Sequence, residues 1–280
     1  MSSNLADFEC LIPANVDEAL RQRAENPGII PISGGTEVMV WMNDGHAPGH
    51  KFQSLHALAK DWRYVREDAG GLRIGAMATY TDVRHHPHVA SRYPLLVESA
   101  RVTGAIQIQN RGTLAGNIAN GSPAADTVPS LMAYDASVVL VSSAGRRELN
   151  LSEFFLGYRK NAMRSDELIA EIIVPAHSFA AASQYYKKVG TREAQAISKI
   201  VLAGIYSKGD VRLAWGCVGP VTLRTRLTEA AIAQGAGLDE AWSVLQSEIA
   251  PIEDIRSTKN YRTLVTRNIL FDFMKRAMSS

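Results

Sequence analysis

The stretch from Ile108 to Pro129 constrains this chain most: three glycines, short amide and hydroxyl side chains and one carboxylate are threaded between two apolar segments. Such a composition predicts neither an amphipathic helix face nor a buried strand. Gly112 and Gly116 carry no Cβ, so consecutive backbone N–H groups there can converge on an anion or a sugar edge. Asn117, Asn120, Ser122 and Asp126 add short directional partners on a segment pinned by Pro123 and Pro129. A Gly/Asn-rich loop is also a common plain turn, so this stretch alone leaves both readings open.

A second glycine stretch narrows them. Ile29-Ile30-Pro31-Ile32 is a short apolar run that ends in Ser33-Gly34-Gly35-Thr36-Glu37. A strand, a tight turn, then a hydroxyl and a carboxylate is the order found where backbone amides grip a diphosphate. Neither the G-x-G-x-x-G nor the G-x-x-x-x-G-K-[ST] spacing occurs. Two such loops are suited to embrace one elongated phosphate-containing cofactor.

A hydrophobic content of 46% in 280 residues is enough for a sizeable core in two or three compact units. A formal net charge of +2 gives no reason to invoke nucleic acid or an anionic membrane. No apolar run approaches the roughly 18 residues of a spanning helix, and the first residues lack a secretion signal, so a cytoplasmic protein without membrane insertion is expected. Cys10 and Cys217 are the only cysteines, too few for an iron–sulfur cluster held by four of this chain's thiols, so any redox metal is expected in a partner.

Taken in order, Asp7–Ile12 is an edge-strand candidate. A helix capped by Asn15 follows, with Val16, Ala19, Leu20 and Ala24 on one face, then a strand at Ile29–Ile32. Leu72–Thr79 opens a second unit, with helix starts near Thr81 and Tyr93. Ala136–Ser142 and Leu168–Val174 read as strands, with a short helix near Phe154 and Phe155. Beyond a boundary at Pro175–Ser178, three strands are expected at Ser183–Lys188, Ala196–Tyr206 and Val211–Val218, the last two joined by hairpin residues Ser207–Asp210. The final helix is expected to bury one broad side carrying Tyr261, Leu264, Val265, Ile269 and Phe273.

Two further arrangements carry little chemistry. His85-His86-Pro87-His88 does not converge naturally on one ion and has no carboxylate or thiol placed to complete a set. Cys217 with His177 would suit a nucleophile and base, yet Cys217 lies in an apolar strand pattern and reads as a buried structural thiol. With no protein-borne nucleophile, any redox chemistry must come from a cofactor.

Ile32-Ser33-Gly34-Gly35-Thr36-Glu37, Asn110-Arg111-Gly112-Thr113-Leu114-Ala115-Gly116-Asn117 and Ser122-Pro123-Ala124-Ala125-Asp126 together resemble the FAD-binding module of the molybdenum hydroxylases, the xanthine dehydrogenase and carbon monoxide dehydrogenase family. The likeness extends over nearly the whole chain, including Gly75–Val83. It implies an α+β fold: a small β-α-β subdomain (1–58), a larger mixed α/β subdomain (59–176), and a C-terminal antiparallel sheet with helices (177–280). It implies FAD held by Pro31, Ile32, Ser33, Gly34, Gly35, Thr36 and Glu37 on the first loop. On the second loop the contacts fall on Gly112, Thr113, Gly116, Asn117 and Asp126, with Asp126 near the ribityl or ribose hydroxyls. Ile169 matches an apolar position on the flavin and Lys187 a lysine near the isoalloxazine.

The same resemblance implies a medium subunit in a heterotrimer or dimer of heterotrimers. A small subunit with two [2Fe–2S] clusters would feed electrons to FAD, which passes them to NAD⁺, oxygen or another acceptor. A large subunit with a molybdenum pterin cofactor would hydroxylate a purine, N-heterocycle or aldehyde. Gly-Gly-Thr-Glu looks more like the xanthine dehydrogenase branch than the carbon monoxide branch. Departures are Ala115, where many relatives have glycine, Thr103, where some have an aromatic ring against the flavin, and the absent cysteine insertion of the benzoyl-coenzyme A reductase branch. Rival readings are a stand-alone FAD oxidoreductase, which would need an acid or base beside the flavin, and a scaffold that has lost FAD.

Overall fold

The computed structural model describes residues 8–176 and 182–278, so His177 and Ser178 lie outside the described residues. Among the described residues, three larger sheets follow one another along the chain, with a two-stranded ribbon inserted in sequence within the second. The first is parallel, with β1 (Glu9–Leu11), β2 (Ile30–Ile32) and β3 (Lys51–Ser54) in the order β1-β3-β2. Its crossover helix Val16–Glu25 starts where Asn15 accepts a 2.9 Å bond from the Glu18 N–H, while Glu18 reaches back to the Ala14 N–H at 2.7 Å. This reciprocal capping satisfies two donors that a helix start leaves open. Ala19 and Leu20 are buried from this helix.

The second sheet is antiparallel and mixed in its connections. It contains β4 (Val65–Asp68), β5 (Gly71–Gly75), β6 (Ser137–Ser142), β7 (Gly145–Asn150) and, after the two short strands β8 (Phe155–Gly157) and β9 (Lys160–Asn161), β10 (Leu168–Pro175). The order is β4-β5-β10-β6-β7. Leu72, Ile74, Val138, Leu140, Ile172 and Val174 join the main core, which the helices between residues 80 and 133 complete. β10 is bulged against β6 between Ile169 and Glu171, and the displaced Ala170 carbonyl accepts the Ala76 N–H at 2.9 Å. A bulge of this kind re-aims side chains locally, here beside Ile169.

The third sheet runs β11 (Ser183–Val189), β12 (Ile200–Ser207), β13 (Asp210–Gly216) and β14 (Leu223–Arg224) in order. β12 and β13 pair from Val201↔Gly216 to Ser207↔Asp210, closed by the expected hairpin, with Gly209 at φ +88. Alternation divides its residues between two cores. Ala203, Ile205 and Ala214 join the main core, whereas Leu202, Leu213 and Trp215 join a second core beneath the helix Lys259–Met278. Both faces are therefore covered, which is why β12 reads as a continuous apolar run rather than an alternating one.

The structure corrects three expectations. Much of the central stretch is helical, Ile106–Arg111 and Leu114–Asn120, because Leu114, Ala115 and Ile118 provide a short face at helical spacing that the main core buries. In the last helix Tyr261 and Leu264 are 41% and 56% exposed, while Arg262 and Thr266 sit on the buried side with Ile269, Leu270, Phe273 and Met274. Arg262 tolerates that position because it donates to the Lys199 carbonyl at 2.6 Å and to Asp254 at 2.9 Å. Cys217 lies just past the end of β13, in the left-handed region at φ +66.

Candidate functional site

The first glycine loop follows β2 directly and leads into the helix Val38–Asn43. Gly35 takes φ +74, which reverses the chain and which residues with a Cβ adopt only under strain. Gly34 is required for a different reason. A Cβ there would lie 1.9 Å from the Arg111 carbonyl oxygen, so the first loop is laid backbone against backbone on the second. Ser33 and Thr113 join the loops with an Oγ···Oγ1 bond of 3.0 Å, and Thr113 Oγ1 also accepts the Gly116 N–H at 3.0 Å. A Cβ on Gly116 would meet both hydroxyls, at 2.9 and 3.0 Å.

The second loop is held from behind by the turn at Thr79. Thr79 and Asp82 form a capping box for the helix Tyr80–His85, Thr79 bridges to Thr113, and the Tyr80 N–H donates to the Gly112 carbonyl at 3.2 Å. Asp82 in turn receives the Arg63 guanidinium at 2.8 and 3.0 Å, which holds its carboxyl below the usual range against the opposing effect of burial. Sequence, capping and charge thus fix the loop's position before any ligand is considered.

Between the loops runs a groove of about 360 Å³. It is lined by Pro31, Ile32, Ser33, Gly34, Gly35, Thr36 and Glu37 from the first loop and by Gly112, Thr113, Gly116 and Asn117 from the second. Ile169 forms part of its apolar wall, with Leu168, Ala76, Tyr80, Ile108 and Met163. Burial drives the Tyr80 phenol far above its ordinary range, so that side chain is a neutral wall. Thr103 also lines the groove, and its hydroxyl is spent on the Ser99 carbonyl at 2.7 Å. Arg159, at φ +52 in the turn joining β8 and β9, reaches Glu37 at 3.1 Å and stacks over the Trp41 ring at 5.6 Å.

An FAD-shaped ligand asks for donors without partners and room beside them. Among the described residues, none accepts a hydrogen bond from the backbone N–H of Gly34, Gly35, Thr36 or Glu37, although all four residues line the groove. Successive amides left open at a concavity favour an anion such as a diphosphate. The apolar wall at Ile169 suits a flat ring. The residues present therefore fit the cofactor.

Two expected site residues stand apart from the groove. Asp126 is buried behind it: its Oδ2 accepts from Lys188 Nζ at 2.7 Å and its Oδ1 from Ser198 Oγ at 2.5 Å, while its carbonyl accepts from the Tyr186 hydroxyl at 3.1 Å. Burial pushes its carboxyl up from the ordinary range, against the pull of Lys188 and Ser198 toward the carboxylate. Lys187 is exposed on β11, on the same side as Tyr185, which bonds Asp272 of the last helix at 2.7 Å. Strand parity turns Lys188 inward instead, where its ammonium also donates to the Val102 carbonyl at 2.9 Å, one residue from Thr103.

Several functional residues went unread in the sequence. Lys188 could have been found only by knowing which face of β11 is inward, and the adjacent tyrosines Tyr185 and Tyr186 leave that parity undecided. Trp41, Ile108 and Met163 carry no local signal. Elsewhere, His88 pairs with Glu67 at 3.0 Å. The Cys217 thiol donates to the Ser198 and Pro123 carbonyls, and burial raises it to about 11. It is a packed thiol tying the third sheet to the loop before Asp126.

Residues 6–177 match the family described as FAD binding domain in molybdopterin dehydrogenase, and residues 184–277 the CO dehydrogenase flavoprotein C-terminal domain. The nicotinate dehydrogenase FAD-subunit of Eubacterium barkeri is 33% identical over 80% of this chain and 79% of its own length. The carbon monoxide dehydrogenase medium chain of Hydrogenophaga pseudoflava is 29% identical over 98% of this chain and 96% of its own. A solved carbon monoxide dehydrogenase from the same organism superposes with a TM-score of 0.89 at 28% identity, covering 97% of this chain and 96% of that one. Loops, groove and likeness agree: the chain belongs to the FAD-binding flavoprotein subunits of the molybdenum-containing dehydrogenases.

Proposed function

We propose that the groove between the glycine loops holds FAD noncovalently, one per chain, and that this chain is the electron-exit subunit of a cytoplasmic complex. In this reading the backbone amides of Gly34–Glu37 hold the diphosphate, with Ser33, Thr113, Gly116 and Asn117 beside them. Pro31, Ile32 and Ile169 supply apolar contact, and Lys188, in place of Lys187, positions the wall near Thr103. Asp126 acts indirectly, by fixing that lysine. When bound, FAD takes up electrons singly and releases them in pairs, which suits it to join iron–sulfur clusters to NAD⁺, oxygen or another acceptor.

The partners in this proposal are a small subunit with two [2Fe–2S] clusters and a large subunit with a molybdenum pterin cofactor, the latter hydroxylating a purine, N-heterocycle or aldehyde. The observation that carries the reading is the run of four N–H groups without a partner among the described residues, on a loop whose position the neighbouring backbone fixes. The chain's own part is to bind, orient and shield the cofactor.

Denaturing the purified chain and identifying released flavin by absorbance and mass tests the cofactor, and absence of flavin after reconstitution would sink the proposal. The loaded chain should be reducible by dithionite yet show negligible turnover with purines, aldehydes or N-heterocycles until the partner subunits are added. Reduction of the isolated chain by an organic substrate at turnover rate would make it a stand-alone flavoenzyme instead.

A further inference from the structure

A second concavity, of about 560 Å³, lies apart from the groove between the loops. It lies over the second sheet, on the side to which Arg73 and Glu171 point. Register assembles it: Arg66 stands opposite Arg73, Glu171 opposite Val139, and Arg146 opposite Val141. Val16 and Leu20 of the crossover helix, with Trp62 and the two valines, make an apolar floor.

One end is charged. The Glu171 side chain is 6% exposed and accepts from the Tyr64 hydroxyl at 2.7 Å and from Arg73 at 2.9 Å. Arg66 and Arg146 approach the same carboxylate at 3.6 and 3.5 Å, and both side chains are more than half exposed. Arg66 is also held over the Tyr64 ring at 4.6 Å. Each guanidinium carries five N–H donors, so Arg66 and Arg146 keep most of theirs unspent. Arg73 is also paired with Asp68 at 2.5 Å, so the guanidinium groups still open to a further carboxylate are those of Arg66 and Arg146, which share Glu171 at 3.6 and 3.5 Å.

We propose that this groove receives an extended segment of a partner subunit, which lays apolar side chains on the floor and presents a carboxylate to Arg66 and Arg146. Charge complementarity selects that occupant. Guanidinium groups pre-positioned by a buried carboxylate bind a second carboxylate with little further ordering, and apolar contact with an arginine rim is the composition of specific protein interfaces. The proposal rests on the subunit reading above only in requiring that partners exist.

The test uses the full flavin-loaded chain and the purified partner subunits. Relative to the parent, Arg66→Glu with Arg146→Glu should weaken association at least tenfold while flavin content stays unchanged. The double glutamine variant, which adds no repulsion, should lose a smaller part of the affinity and guards against misfolding of the first. Hydrogen exchange should show residues 62–73 and 139–146 becoming protected on assembly. Parent-like affinity in both variants, or no added protection of those segments in the complex, would overturn the proposal. A parent chain that assembles normally but holds no flavin would overturn the FAD reading and leave this one standing.

Discussion

The first glycine loop and Asp126 were expected to serve one ligand, yet the structure builds the loop and the Asp126–Lys188–Ser198 cluster in opposite ways. The loop presents bare backbone to the groove and is positioned by what it lacks, a Cβ at Gly34. The cluster turns its charges on one another: both side chains of its ion pair are under one-tenth exposed, and their bonds join the third sheet to the cofactor domain. A ligand-facing surface keeps donors unspent, whereas a joint between units spends them all. Mutations should therefore fail differently at the two places.

Gly34→Val should have the largest effect, because its Cβ would collide with the Arg111 carbonyl, a backbone atom that cannot move aside. Loss of ~4 kcal/mol or more and of flavin together is expected, read by thermal denaturation and flavin content. Near-normal stability with full flavin would show that the two loops do not dovetail. Lys188→Met should cost about 3–5 kcal/mol at neutral pH by leaving Asp126 buried without its cation. Burial already raises the Asp126 carboxyl, and losing Lys188 raises it further. The variant's folded state then favours the protonated acid, so its deficit should shrink as pH falls; a pH-independent deficit would mean the pair contributes by packing alone.

Cys217 probes the same joint more gently. Its thiol is raised from 9.0 to about 11, so the folded state favours the proton. The resulting stability is fully present below pH 9 and is lost between there and about 11, an effect of about 2–3 kcal/mol. Iodoacetamide at neutral pH should modify the exposed Cys10 while sparing Cys217 until unfolding; equal rates would contradict the burial. Gly35→Ala should be mildest in stability, about 1–2 kcal/mol for φ +74, since a Cβ there meets only Ile32 and Met39 at ordinary contact distances. Flavin content then sharpens the comparison: retention would show that the turn is conformational, and loss would show that the Cβ direction belongs to the diphosphate.

Legibility varied with how local the determinant was. Asn15 and the Ser207–Asp210 hairpin act within a few residues, and elements form where those residues indicate. Lys187 and Lys188 are chemically equal neighbours, and only pairing with β12 and packing on Asp126 tells them apart. Tyr261 and Leu264 look like core from spacing, but Arg262 and Thr266 take the inner side because carbonyls at Lys199 and Cys217 need a donor there.

The sequence by itself determined the two loops, their glycine, hydroxyl and carboxylate chemistry and the antiparallel sheet with helices in the C-terminal third, because these depend on composition and short-range spacing. Tertiary structure alone decided that Gly34 answers to Arg111, that Asp126 is a joint behind the groove, and that three arginines gather around Glu171. Each of those pairs residues far apart in the chain, and which of them meet depends on sheet register and burial, which no local pattern encodes.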